Sequence, residues 1–180
     1  MTVEGDHMRM FGVVAVASLG SGGCYQVLHV GYHERFAERG GRSFEAGYVA
    51  GLGPLEDDEP FPIVKAEVAA GAWGVRGAGA IGAMFMADVS DATRFFVRPL
   101  LACLVIGAEE RTDGREDLWF GVGAEADLGV AFEAFDDDTF IELGLRGGGD
   151  LSYTGNGSGG FVGIFLGWAW GVDGGDLLSH

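Results

Sequence analysis

Glu125 and Asp127 stand two positions apart, as do Lys65 and Glu67, while Glu142 and Arg146 stand four apart. Each spacing puts both groups on one face of a β-strand, where successive side chains alternate between the two sides. With Glu45 and Arg98 they make a set of acids and bases spread over five candidate strands. Two chemistries fit such a set. A carboxylate pair such as Glu125 with Asp127 could serve as general acid and base. Alternatively, charges withheld from water must be paired, and the set is then an interior salt-bridge network. The network accounts for charges on several strands at once and is the reading adopted, with no catalytic residue assigned. Carboxylates outnumber bases in the set, so water or bound protons must complete the balance.

Other chemistry-bearing residues carry less. His29 and His33 share a strand face but stand roughly 13 Å apart at ~3.3 Å per residue, too far to share one metal ion. Ser43 with either histidine would be a hydrolase pairing, yet no serine sits in a nucleophile motif. Gly77-Ala78-Gly79-Ala80-Ile81-Gly82 matches the dinucleotide fingerprint GxGxxG. It lacks the preceding buried strand and the acidic residue about twenty positions on that the chemistry requires. Gly147 to Asp150 and Gly155 to Gly160 read as an external loop, because no calcium-binding period is sustained. Glu56 to Glu59 and Asp136 to Asp138 read as solvated acidic turns. Neither a metal site nor a cofactor is expected.

The interior charges need strands to position them, and Leu118 to Glu133 shows the pattern most plainly. Leu118, Phe120, Val122, Ala124, Ala126, Leu128, Val130 and Phe132 alternate with Trp119, Gly121, Gly123, Glu125, Asp127, Gly129, Ala131 and Glu133. One face is apolar and the other holds glycines and carboxylates, a period of two that a helix would smear. The run exceeds the ~9–11 tilted residues that cross a bilayer. Seven further strands are predicted over Tyr25–His33, Arg42–Gly53, Ile63–Trp73, Gly77–Ala87, Arg94–Ala108, Thr139–Gly147 and Phe161–Val172. The fourth and fifth are nearly apolar on both faces, so their facing is left open. Connections alternate long and short, as in a membrane barrel with long outer loops and short periplasmic turns. Pro54–Pro62 and the link near Gly74 break that rule. Aromatics near the strand ends, Trp73, Phe96, Trp119, Phe140, Phe161 and Trp168 among them, read as interfacial girdles.

Composition narrows the class. The 180-residue chain is 48% hydrophobic, which supports one domain with a sizeable core. It carries a net charge of −16, which excludes a nucleic-acid partner because phosphate binding needs a basic face. Its 34 glycines far exceed the usual ~7% without a collagen period, and a crowded barrel interior is a cause. No apolar run reaches the ~20 residues of a membrane helix, so any spanning falls to strands closed into a barrel.

The start of the chain reads as an export signal over residues 1–23: Arg9, an apolar Phe11 to Leu19, then small residues before Cys24. Glu4 and Asp6 depart from a basic start. The small residues resemble a bacterial lipoprotein cleavage box, which would make Cys24 a candidate lipidation site, although Ser21 stands where that pattern wants leucine. Residues 24–172 form the barrel domain and 173–180 a C-terminal tail.

From Tyr25 to Val172 the chain resembles the small eight-stranded outer-membrane β-barrel proteins of Gram-negative bacteria, on strand number and alternation rather than on a family motif. The resemblance implies an all-β, antiparallel, up-and-down transmembrane barrel in the outer membrane, in contact with membrane lipid. Such barrels usually finish on an aromatic residue, whereas this last strand reads Trp168-Ala169-Trp170-Gly171-Val172 with a tail beyond. The expected role is non-enzymatic: a side-chain-filled barrel with a structural or surface-recognition task, meeting a surface ligand or protein partner at its external loops. The alternatives are an outer-membrane lipid-modifying enzyme and a soluble, lipocalin-like barrel that binds a small apolar ligand with the two faces reversed.

Overall fold

The computed structural model describes residues 25–37, 40–51, 59–110, 116–134, 136–154 and 157–171; the side chains of 110, 116 and 136–138 lie outside the description. The export segment, Cys24, the tail from 173, and most of the acidic Glu56–Glu59 link also lie outside it. Eight strands follow in order: β1 Tyr25–Phe36, β2 Gly41–Gly51, β3 Phe61–Gly71, β4 Gly74–Ser90, β5 Thr93–Glu110, β6 Glu116–Ala134, β7 Asp136–Ser152 and β8 Gly159–Gly171. Each pairs antiparallel with the next, and β1 pairs with β8, closing the barrel. Closure leaves no unpaired edge between the first strand and the last.

Alternation decides which side each residue takes. Leu28, Val30, Val64, Leu128, Leu143, Leu145, Ile164 and Leu166 are exposed on the outer wall, while Glu45, Lys65, Glu67, Arg98, Glu125, Asp127, Glu142 and Arg146 are buried inside. This facing removes the soluble alternative: the apolar face points out and the interior is ionic.

The structure corrects several strand readings. β7 runs on to Ser152 instead of stopping at Gly147, so Gly148, Gly149 and Asp150 are paired on both sides rather than looped out. Their glycines mimic a loop because Phe161 packs against Gly148 and leaves no room for a side chain. β4 starts at Gly74, which brings Arg76 into the wall, and Gly77–Gly82 lies in the middle of that strand with no turn or helix to cradle a phosphate. β5 read as apolar on both faces because its ladder slips between Ala102 and Val105. Phe96, Arg98, Leu100 and Ala102 point inward before the slip, Val105 and Glu109 after it, and Cys103 and Leu104 are both exposed at it. A bulge that inserts a residue reverses the parity of everything beyond it.

The girdle reading is also corrected. Tyr25, Phe61, Trp73, Phe96, Trp119, Phe140 and Phe161 are buried plugs of the interior; Phe44, Phe95 and Trp168 are exposed outside. Phe135 lies outside the described residues. Trp73 sits in the two-residue turn between β3 and β4, followed by Gly74 at φ +134°, where a β-carbon would strike the carbonyl of Ala108.

Large interior residues sit directly opposite glycines of the next strand: His29 by Gly47, Phe96 by Gly129, Phe165 by Gly144, Trp119 by Gly107. The space they use lies along the wall rather than across the lumen. Gly129→Ala is therefore not a mild change, because its β-carbon would lie 2.7 Å from Cζ of Phe96 and 2.9 Å from Cα of Gly144. Overpacking of this kind costs ~1–3 kcal/mol. The neighbouring Leu128→Arg, on the lipid side, should cost ~2–4 kcal/mol. Denaturant unfolding in lipid vesicles measures both, and Phe96→Leu should relieve Gly129→Ala only in part, because the Leu143 carbonyl also crowds that β-carbon at 2.5 Å, while leaving Leu128→Arg unchanged.

Candidate functional site

The interior is a continuous column of ionic groups. Its centre is Arg146 on β7, whose sequence position puts it directly across the ladder from Asp127 on β6. The fork is bidentate: Nε donates to Oδ1 at 2.6 Å and Nη2 to Oδ2 at 2.9 Å. Nη1 reaches across the lumen, donating to Glu45 on β2 and, at 3.3 Å, to Glu67 on β3. It also lies 3.2 Å from Nε2 of His29, and the guanidinium stacks 4.8 Å from the Phe165 ring. His33 Nδ1 is 3.0 Å from the second oxygen of Glu45.

Below Arg146, Arg98 lies 2.8 Å from Glu142 and 3.2 Å from Asp127, and Tyr25 donates its hydroxyl proton to Glu142. The Arg98 contacts are close but off-line; its N–H groups make no directed hydrogen bond, and the guanidinium is held instead against Phe96 at 4.5 Å and Phe165 at 5.2 Å. Beside Arg146, Lys65 bridges Glu67 and Glu125. All eight sequence-predicted charges are thus inside, joined by direct contacts, but Glu125 serves Lys65 and not Arg146.

Above lies a tier that sequence reasoning missed. Arg76 on β4 forks onto Asp150 on β7, with Nε to Oδ2 at 2.7 Å and Nη2 to Oδ1 at 2.9 Å, and also donates to Glu67. Arg35 on β1 donates to Asp150 at 3.4 Å and to the carbonyl of Gly157, and lies 3.8 Å from Glu109. Its guanidinium is sandwiched between the rings of Trp73 at 4.7 Å and Trp119 at 5.0 Å. This stack closes the end of the barrel where β1 meets β2 and β7 meets β8. The missing signal was strand length: Arg35 and Asp150 fall beyond the predicted ends of their strands, and Arg76 one residue before its own.

Two chemical readings can be weighed against this geometry. His29, Glu45 and Glu67 present ligand atoms within 4.8 Å of one another, a spacing that could hold a metal ion. Nη1 of Arg146 already lies among those atoms, so the guanidinium is the cation of that cluster. Ser43 is paired opposite His33 in the ladder, but its hydroxyl donates to the His33 carbonyl at 3.5 Å while the imidazole turns to Glu45. The serine and the histidine ring therefore form no nucleophile–base pair.

No protein-family model and no curated protein matches the chain. Solved structures do. The barrel superposes on Neisserial surface protein A with a TM-score of 0.67 at 12% identity, covering 82% of this chain and 96% of that one. It matches the N-terminal β-barrel domain of Pseudomonas aeruginosa OprF with a TM-score of 0.53 at 13% identity, covering 82% of this chain and 98% of that one. The chain has the closed eight-stranded transmembrane fold of the small Gram-negative outer-membrane barrels, and its exposed apolar wall is the surface such a fold presents to lipid.

Proposed function

We propose that this protein is a non-enzymatic barrel of the outer membrane, with a solid interior and a structural or surface-recognition role performed at its external loops. The observation that carries the reading is the interior itself. Arg35, Lys65, Arg76, Arg98 and Arg146 interlock with Glu45, Glu67, Glu109, Glu125, Asp127, Glu142 and Asp150, all buried, from one end of the lumen to the other. An eight-stranded wall leaves room for side chains but for no wide channel. A lumen filled this way conducts nothing and hides its acid and base groups from any substrate. Lipid modification would need reactive groups at the mouth or the wall, whereas His29, His33 and Ser43 are buried within.

What remains for interaction is the surface. The end closed by Arg35 carries the β1–β2, β3–β4, β5–β6 and β7–β8 connections, and in an outer-membrane barrel the end opposite the chain termini faces outward. The neighbour with the higher TM-score bears the name of a surface protein, which agrees with that placement. Export through residues 1–23 and lipidation at Cys24 belong to the same proposal. Surface biotinylation of intact host cells at a lysine placed at Ser158, followed by membrane fractionation, tests it: labelling is expected in the outer-membrane fraction, and recovery in the soluble fraction would reject it.

Two measurements follow from the filled interior. Purified protein in planar bilayers should show no steady conductance above the bare membrane. Breaking a buried ion pair costs ~3–5 kcal/mol, while replacing both partners can be neutral. Arg146→Met should therefore destabilise by about that much, and adding Asp127→Leu and Glu45→Leu should restore part of the loss. Glu125→Gln should couple strongly to Lys65→Met and more weakly to Arg146→Met, which it reaches only through Lys65 and Glu67. Simple additivity for Arg146 with Asp127 would refute the network, and loss of a lipid-modifying activity in folded variants would make it catalytic.

A further inference from the structure

The outer wall is not equally tall all round. On β6 the outward residues are apolar without a break from Leu118 to Phe132. On the adjoining β5 the outward row runs from Phe95 to Ala108, and on β4, one strand further, from Val75 to Val89. On β1, across the ring from β5, the unbroken outward apolar row is Leu28, Val30 and Tyr32, bounded by Gln26 below and Glu34 above, with exposed Phe36 standing apart beyond Glu34.

At ~3.3 Å per residue and a tilt of ~40°, each residue climbs about 2.5 Å. The β6 row is then about 35 Å tall, while Gln26 and Glu34 on β1 are about 20 Å apart. A barrel's lipid-facing band is ~25 Å, so β1 fits the membrane and the β4–β6 wall overshoots it by about 10 Å. Part of the excess lies at the end away from the chain termini. There Leu118 (63% exposed), Phe120, Leu151 (67%) and Tyr153 (72%) form one patch, tied by the amide of Tyr153 donating to the Phe120 carbonyl at 2.8 Å.

Lipid chains cannot cover that patch without thickening the bilayer on one side of the barrel, which costs free energy that grows with the mismatch. Tilting does not remove the difference, because opposite walls of one rigid barrel tilt together. A soluble partner could cover the patch but not the wall beneath it. A second copy inserted in the same direction has an equally tall wall, and a twofold axis along the membrane normal sets the two walls together over their whole height. Gly79 on β4 adds a notch: nothing lies within 4 Å of where its β-carbon would be, and Ile81 and Leu104 beside it are both over half exposed. We propose that the β4–β6 wall is a homodimer interface, an inference that rests on the membrane-barrel reading.

Cys103, exposed on β5, lies in the middle of this wall and serves as the reporter. The full chain carrying Cys24→Ser is reconstituted in phosphatidylcholine vesicles at high lipid dilution and treated with a short bismaleimide. Val30→Cys in a background without the native cysteines probes the opposite wall. Cross-linked dimer is expected from Cys103 and not from Val30→Cys, and the Cys103 dimer should decline as longer lipid chains thicken the bilayer. Leu118→Ser with Tyr153→Ser should lower the yield in thin bilayers while the heat-dependent gel shift of the folded barrel stays unchanged. Equal cross-linking at both positions, monomer at Cys103 in thin bilayers, or a yield indifferent to thickness would overturn the dimer while leaving the membrane reading in place. Failure to insert at all would overturn both.

Discussion

The guanidinium of Arg146 joins carboxylates from three strands, Asp127 beside it and Glu45 and Glu67 across the lumen. Much of the interior is arranged around that contact. A buried cation stripped of water needs several acceptors at once, and only a planar fork can serve one carboxylate in bidentate fashion while reaching others. Once Arg146 is placed, Asp127 is shared with Arg98 and Glu67 with Lys65 and Arg76, so each neighbouring charge is held by groups already fixed. The column is thereby a single cooperative unit and not a set of separate bridges.

That unit explains the glycines and the aromatics together. A narrow lumen cannot hold the five long cationic side chains and eight aromatic side chains buried among the described residues unless the wall between them is bare. Gly47, Gly129, Gly144 and Gly107 are the bare places, each directly opposite a large inward residue. The rings then act twice: Phe96 and Phe165 fill volume, and both lie against the Arg98 guanidinium, which lacks directed hydrogen bonds of its own. Cation–π attraction is strongest where water is absent, so this is where it can replace a donor's missing acceptor.

Inside and outside impose different demands on one strand. The interior requires charge balance, which extra residues such as Arg76 and Asp150 supply at the upper tier. The exterior requires an apolar band matched to a membrane, which β1 meets and β6 exceeds. Because the two demands fall on alternate residues, a strand can lengthen to add an interior ion pair and in doing so carry its apolar face above the bilayer.

Facing was legible in the sequence wherever the period of two was unbroken. That Leu128 and Asp127 take opposite sides follows from chain geometry between adjacent residues, which no distant contact can alter; which of the two sides is the interior is decided by the closed barrel. Strand number and the shared face of the charges on each strand followed from the same local rule; their burial followed from the choice of a membrane barrel. The rule failed where the chain departs from it: the bulge at Cys103 and Leu104 reverses parity midway along β5, and nothing in an apolar stretch marks the slip. It also failed where a residue's meaning depends on its neighbour, as when Gly148 and Gly149 read as loop until Phe161 is beside them. Pairing across the lumen was beyond it altogether. Asp127 opposite Arg146 is a matter of one hairpin's register, but Glu45 reaching Arg146 and Arg35 seated between Trp73 and Trp119 depend on the ladder closing through all eight strands. Local alternation is set by one strand's backbone; the partner of a buried charge is set by the shear of the whole ring, and only the closed structure fixes that.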